Sequence, residues 1–465
     1  MIRWLVGLLL LAAAAIGVTY FIAGRGAPPG IVIEKPDRLV GQQGAIDVLV
    51  QGAPPSMLTI NLEQDGKRIP LFTLDARQSA TVSTDPSGKG LRVVRPFGKQ
   101  GVPELHEGAA RITVEAARPS LLNLRTLSSS ASKEVEVRLD PPRISAVSTH
   151  HYINRGGSEM VVYRVTPPDV TSGVRVGDLE YPGFAAAGAG LDGADPSLKV
   201  AFFALLHDQP LAVPIALFAR DGAGNEATTS FVNDVFDKSF KRSRIEVDDK
   251  FMQRVVPEIL AHAPELKLDA ASATGAGLLP AFLRINGDLR RLNAERITEL
   301  TGSTAPTRLW SGPFVQLGNS QVEAGFADRR TYVYQGKDVD QQVHLGFDLA
   351  VTSAVAVVAA NAGKVVNASW LGIYGNCVII DHGMGVASLY GHLSSIDVKV
   401  GDSVTRLQTI GRSGMTGLAG GDHLHFTMLV NAHAVNPVEW WDSHWIQDRV
   451  ERKLSEAGGT PTTAR

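Results

Sequence analysis

From residue 31 to about residue 235 the chain repeats one pattern, and that pattern narrows its folds more than any other feature. Short runs of aliphatic and β-branched residues alternate with polar ones and are closed off by turn residues: "GAIDVLVQG", "SMLTINLEQDGK", "RITVEAA", "KEVEVRLDPP", "SEMVVYRVTP", "VRVGDLEYPG" and "VPIALFARDGAGNEATTSF". Period-two alternation with frequent turn signals reads as half-buried strands, which must be covered by a second sheet. Asp65-Gly66 is a hairpin-type dipeptide. The 47 glycines and 25 prolines suit such a turn-rich β protein. A chain of 465 residues also exceeds one ordinary core, so three or four domains are expected.

The break at Pro141-Pro142 divides the pattern into two β-sandwich modules, residues 31–140 and 141–235. Both resemble the immunoglobulin-like modules of exported bacterial proteins. Residues 236–305 change period: "DDKFMQRVVPEILAHAP" and "GLLPAFLRINGDLRRLNAERITELTG" space their apolar residues helically, with Asp248 as a cap, and read as a small helical connector. The run Lys241-Arg242-Ser243-Arg244 reads as solvated linker. From Trp310 the chain turns β again, giving a domain over 306–446, and the polar residues 447–465 read as a disordered tail. The expected fold class is mainly β and multidomain: an N-terminal transmembrane helix, two sandwiches, a helical connector and a C-terminal antiparallel sheet domain.

Residues 1–30 hold an apolar run from Trp4 to Ala23, 20 residues, about the length that spans a bilayer. It reads as a retained inner-membrane anchor, single-pass, with the rest of the chain on the periplasmic side. Gly24-Arg25-Gly26 is a passable cleavage site if the run is instead a signal. A net charge of −2 argues against nucleic acid as a partner. Cys377, the single cysteine, excludes an internal disulfide and a C-x-x-C metal site, and its apolar surroundings "NCVII" make it a buried thiol.

Seven of the 12 histidines fall between positions 344 and 444, so a metal is sought there. In "HLGFDLA", His344 and Asp348 would face the same way on a straight strand but lie roughly 13 Å apart; a bend at Gly346 would bring them together. In "GGDHLHFTM", His423 and His425 share one face of a strand. One of that pair completes a His2Asp set, the three-ligand design of catalytic zinc sites, and leaves its neighbour for proton transfer. His392, in "SLYGHLSSI", is a further candidate. The helical H-E-x-x-H arrangement is absent, because His106-Glu107 is followed by Gly108, Ala109 and Ala110. His262, His382, His433 and His444 read as structural or surface residues, and Trp440, Trp441 and Trp445 as packing.

These motifs, with "GFADRRTY", "NAGKVV", "YGNCVIIDHGMG", "VKVGDSVTRLQTIGRSGMTGLAGGDHLHF" and "VNPVEWW", make residues 320–440 resemble the lysostaphin-type zinc endopeptidases of peptidoglycan. The resemblance implies one Zn²⁺ held by His344, Asp348 and His425, with His392 and His423 catalytic. Tyr332 and Tyr334 lie just upstream of the first ligand, where the resemblance allows one phenol near the reaction, and strand packing is the other reading of each. A zinc held by two imidazoles and a carboxylate lowers the pKa of its water toward about 7, the expected route to peptide hydrolysis. The implied substrate is a cross-link or stem peptide of the wall, with wall-machinery proteins as further partners. Two other readings are a non-catalytic scaffold or activator of another hydrolase, and an endopeptidase acting on proteins. The glycine-rich "GRSGMTGLAGGD" lacks the lysine of a phosphate loop and reads as a cleft wall.

Overall fold

A computed structural model of the chain describes residues 2–23, 26–74, 81–84, 90–120, 125–268 and 274–458. The candidate cleavage site at Gly24-Arg25 and the last seven tail residues, 459–465, lie outside the described residues. Ile2–Ala23 is one helix, long and apolar enough to cross a membrane, a length and composition that signal sequences share. The chain divides into two compact units, Met1–Pro142 with Arg220–Glu226, and Arg143–Ala219 with Ala227–Arg465.

In the first unit a four-stranded sheet, ordered Gly30–Lys35, Ala45–Gln51, Gly90–Pro96, Thr81–Thr84, accompanies a five-stranded one, ordered Leu39–Val40, Arg125–Val137, Gly108–Ser120, Met57–Gln64, Lys67–Thr73. Ile46, Val48 and Val50 from one sheet and Leu58, Ile60, Leu62, Ile112 and Val114 from the other are fully buried in one cluster. Alternation along each strand therefore delivers every second residue to a shared core, which is a sandwich. Asp65 and Gly66 take φ of 49° and 75° and close the hairpin between Met57–Gln64 and Lys67–Thr73, as the dipeptide predicts.

The second unit holds a sandwich built from two four-stranded sheets, which contain Ser158–Thr166 with Leu198–Ala204 and Thr171–Val176 with Ile215–Arg220. Its core does not end at the module boundary. Phe202 meets Trp310 and Trp440 at ring separations of 6.2 and 5.9 Å, and Phe314 and Trp445 join the same aromatic cluster. Trp440 is fully buried. An indole of this size is worth roughly 4 kcal/mol or more of apolar burial before entropy is charged, enough to fix one module on the other. The second sandwich thus shares its core with the C-terminal domain.

Polar groups seal the same junction. Glu439 accepts hydrogen bonds from Asn154 Nδ2 at 2.9 Å and Ser158 N at 2.7 Å, and burial pushes its carboxyl up to about 7 against these donors. Lys453 Nζ lies 2.8 Å from Glu159 Oε1 with both side chains wholly inaccessible. Residues 447–458 are therefore not a disordered tail: Gln447–Glu451 and Arg452–Glu456 continue the helix begun at Ser443–Ile446, because Val450, Lys453 and Leu454 are buried along one side of it. Lys453→Ala leaves Glu159 buried beside only Arg449 at 3.5 Å and backbone N–H groups. It should cost about 3 kcal/mol in urea unfolding, most of it recovered by adding Glu159→Gln; an unchanged midpoint would refute the role given to this pair.

The helical connector forms as expected. Asp248 Oδ1 caps Asp249–Leu260 by accepting from Phe251 N at 2.7 Å, and Leu278–Arg284 and Arg290–Thr301 follow. Residues 242–246 depart from expectation: Arg242–Glu246 is a strand, paired parallel with Asp328–Tyr334, which pairs antiparallel with Lys337–His344. The basic run is not linker, because its alternate residues Ser243 and Ile245 turn inward under the helices. The central sheet of the C-terminal domain has eight antiparallel strands, with Phe347–Ala350, His423–Val430, Val386–Leu393 and Asn376–Gly383 adjacent in that order.

Candidate metal centre

Sheet register assembles the site. Asp348 lies directly opposite His425, Ala350 opposite His423, and Gly391 opposite His425. Cross-strand partners share a face, so Asp348 and His425 project together, with His423 two residues away on the same face. His344 ends its strand and the chain turns through Leu345-Gly346 before Phe347–Ala350 begins. Gly346 is needed for space: a Cβ there would lie 2.6 Å from the His425 ring and from Thr427 Oγ1. Its backbone is not left-handed, so close approach rather than an unusual angle selects glycine.

Three atoms converge. His344 Nε2 is 2.9 Å from Asp348 Oδ1 and 3.1 Å from His425 Nδ1, and His425 Nδ1 is 3.0 Å from Asp348 Oδ1. Their proton states follow from their other contacts. His344 Nδ1 lies 3.1 Å from Gly325 O, an acceptor only, so that nitrogen carries the proton. His425 Nε2 lies 3.0 Å from Thr427 Oγ1, whose hydroxyl donates to Leu345 O, so this nitrogen is again the donor. Two imidazole lone pairs and a carboxylate oxygen thus face one another, which is repulsive unless a cation sits between them. Ligand atoms on a tetrahedral zinc with bonds of 2.0–2.1 Å stand about 3.3 Å apart, and the donor set fits such an ion. Among the described residues this is the group of side chains placed to hold a metal.

The electrostatics agree. Burial alone would raise the Asp348 carboxyl, but when protons take the cation's place in the triangle, charge on His344 and hydrogen bonds from the His344, His423 and His425 rings outweigh it and hold it well below the usual range. The centre keeps its anion and draws positive charge, from protons or a metal ion, into the triangle. Burial lowers His425 to about 4, keeping its ring neutral as a ligand must be. Arg330 Nη2 donates to Asp348 Oδ2 at 2.9 Å, fixing the carboxylate so that Oδ1 faces the centre.

His392 and His423 flank the triangle with ring centroids 4.8 Å apart. Each has its Nδ1 proton engaged by a carbonyl, Thr416 O and Gly421 O respectively, both at 2.8 Å. Their Nε2 atoms are left unprotonated in the neutral rings; that of His423 lies 3.5 Å from Asp348 Oδ1. Burial, then the charges of His423 and His425, press His392 well below its ordinary value. His423 moves the other way, since the Asp348 hydrogen bond and charge outweigh burial.

All five predicted site residues line one cavity of about 900 Å³. Its walls include Leu418, Gly420 and Gly421 of the glycine-rich loop, Arg290 and Arg291 of the connector, and His207 and Asp208 of the second sandwich. Tyr332 and Tyr334 do not reach it: Tyr332 is buried in the connector's core and the Tyr334 hydroxyl donates to Asp249 Oδ1. The phenol that does line it is Tyr374, 5.3 Å from the His425 ring, with its pKa pushed up to about 12 by burial. Sequence reasoning assigned no role to Tyr374 or Arg330; the period-two position of Arg330 beside Asp328 was the available signal. His382 is buried between Ala362 O and Ser388 Oγ, each 2.7 Å away, His433 packs on Tyr181, and His444 is exposed.

Residues 342–437 match Peptidase family M23. Similar curated proteins include the peptidoglycan DD-endopeptidase ShyA of Vibrio cholerae, 40% identical over 96 residues, which are 21% of this chain and 22% of that protein. The DD-carboxypeptidase/endopeptidase Mpg of Neisseria meningitidis is 38% identical over 97 residues, covering 21% and 22%. The murein hydrolase activator EnvC of Escherichia coli is 37% identical over 95 residues, covering 20% and 23%. The similarity spans less than a quarter of each relative's length. The convergent histidines and aspartate therefore sit within the segment of this chain that matches Peptidase family M23.

Proposed function

We propose that this chain is a membrane-anchored zinc endopeptidase that hydrolyses cross-link or stem peptides of bacterial peptidoglycan. The observation that supports this reading is the triangle of His344 Nε2, Asp348 Oδ1 and His425 Nδ1, three acceptors within 3.1 Å of one another, the two imidazoles carrying their protons on the opposite nitrogens. These residues would hold the ion, which when bound supplies Lewis acidity toward a scissile carbonyl and an acidified water. His392 and His423 handle protons: an unprotonated Nε2 facing the cleft accepts the proton of attacking water and returns it to the departing amine. Arg330 keeps Asp348 oriented throughout. The names of ShyA and Mpg support a wall-peptide substrate. The Ile2–Ala23 helix supports anchoring in the inner membrane with the peptidase outside the cytoplasm, where wall-machinery proteins are within reach.

One zinc per chain by elemental mass spectrometry, together with new muropeptides in a chromatographic digest of purified peptidoglycan, is the expected result for the full-length protein. A second reading, an activator of another hydrolase, is favoured by the EnvC relative. It predicts no muropeptide release by the protein alone and release when a partner hydrolase is added; the complete ligand set favours the enzyme.

A further inference from the structure

The basic run at residues 241–244 has a place in the fold that its composition did not suggest. Arg242 lies directly opposite Arg329 across the parallel pair formed by Arg242–Glu246 and Asp328–Tyr334. Partners on adjacent strands are about 4.8 Å apart at the backbone and share one face, and like charges so placed repel. Both side chains are exposed, and among the described residues neither has a carboxylate within 4 Å. The contrast with the next residue on the same face is direct, since Arg244 is paired with Asp338 at 2.6 Å.

This repelling pair lines a groove of about 510 Å³ that shares His207, Asp208, Arg330, Gln342 and Val343 with the cavity of the metal centre. Arg330 faces both spaces and is already engaged by Asp348. Lys241 lines the larger cavity nearby. Asp208, on the opposite wall, is the acidic group facing the groove, and it pairs with neither arginine. An extended ligand seated at the metal centre can therefore leave along a groove that presents two guanidinium groups, neither of them paired with Asp208, the acidic residue that also lines it.

We propose that Arg242 and Arg329 form a carboxylate-binding subsite that takes a free carboxylate of an anionic peptide whose scissile bond lies at the His344, Asp348 and His425 centre. The proposal rests on the peptidase reading for the identity of the peptide. Guanidinium forks match carboxylate geometry, and a carboxylate bound between them relieves their mutual repulsion. Both arginines stand on the three-stranded sheet of Arg242–Glu246, Asp328–Tyr334 and Lys337–His344, separate from the central eight-stranded sheet, so the subsite would select among anionic peptides without touching the reacting atoms.

The test uses full-length protein in detergent and one cross-linked peptidoglycan peptide in two forms, with its carboxylates free and with them amidated. Arg242→Ala/Arg329→Ala should raise KM about 10-fold on the free acid, leave kcat within about 2-fold, and change neither value on the amide. Arg242→Lys/Arg329→Lys should recover only part of the loss, because lysine supplies the charge without the fork. An unchanged KM on the free acid, or an equal loss on both peptides, overturns the subsite. Should the alanine variant fail to fold, the wild type alone decides, since amidation must itself raise KM by the same factor. Should the wild type cleave neither peptide, the hydrolase reading falls separately; equilibrium binding of fluorescent peptide then reads the subsite, about 10-fold weaker for the amide supporting it and equal affinity refuting it.

Discussion

A His425→Ala protein is expected to lose its metal and its wall-peptide cleavage together. The substitution removes one of three donor atoms and also the wedge that Thr427 and Gly346 are shaped around. Two donors remain, His344 Nε2 and Asp348 Oδ1, and a two-ligand site cannot hold an ion against buffer and water. Loss of a residue that merely orients a ligand costs 10- to 100-fold in metal affinity, so loss of the ligand itself should exceed ~100-fold. Elemental analysis after dialysis should find less than about a tenth of an equivalent, and the muropeptide profile should match the untreated control. The fold should survive, since His425 contributes no apolar bulk to the aromatic cluster around Trp440. Wild-type digestion by this protein would overturn the assignment of the ligand set.

The features legible in the sequence are those fixed by short-range geometry. His423 and His425 share a face because any strand alternates, and Asp65-Gly66 closes a hairpin because those residues tolerate positive φ. Asp248 caps its helix through an oxygen three residues from the amide it serves. What stayed hidden depends on pairing between distant segments. Nothing local marks Arg242–Glu246 as a strand of the C-terminal body, since its charged residues point outward and its partner lies 87 positions on, Arg242 opposite Arg329. Arg330 acquires its role only through the turn that brings Asp348 beside it. The seam joining the second sandwich to the C-terminal domain needs Phe202, Trp310 and Trp440 at once, a spacing with no period to detect. The buried pair of Glu159 and Lys453 likewise joins residues whose polarity, read alone, predicts solvent.

His392→Ala should separate chemistry from metal binding. His392 occupies the left-handed backbone region, φ 62°, which a bulky L-residue adopts at a cost of roughly 1–3 kcal/mol when the surroundings impose it. The surroundings do so here: Thr416 O holds its Nδ1 at 2.8 Å, and the strand directs the ring toward His423 and His425 at 4.8 and 5.8 Å. It has no contact with Asp348 of the kind His423 makes, so its removal subtracts no donor from the ion. The protein should retain one equivalent of metal while kcat falls 10²- to 10⁴-fold, the usual worth of a positioned acid or base, with KM little changed. The pattern distinguishes a proton carrier from a ligand: a ligand would take the metal with it, and a packing residue would lower the unfolding midpoint without lowering turnover of the folded fraction. Metal loss in step with activity, or turnover within about 10-fold of wild type, would remove His392 from the chemistry and leave the proton work to His423 alone.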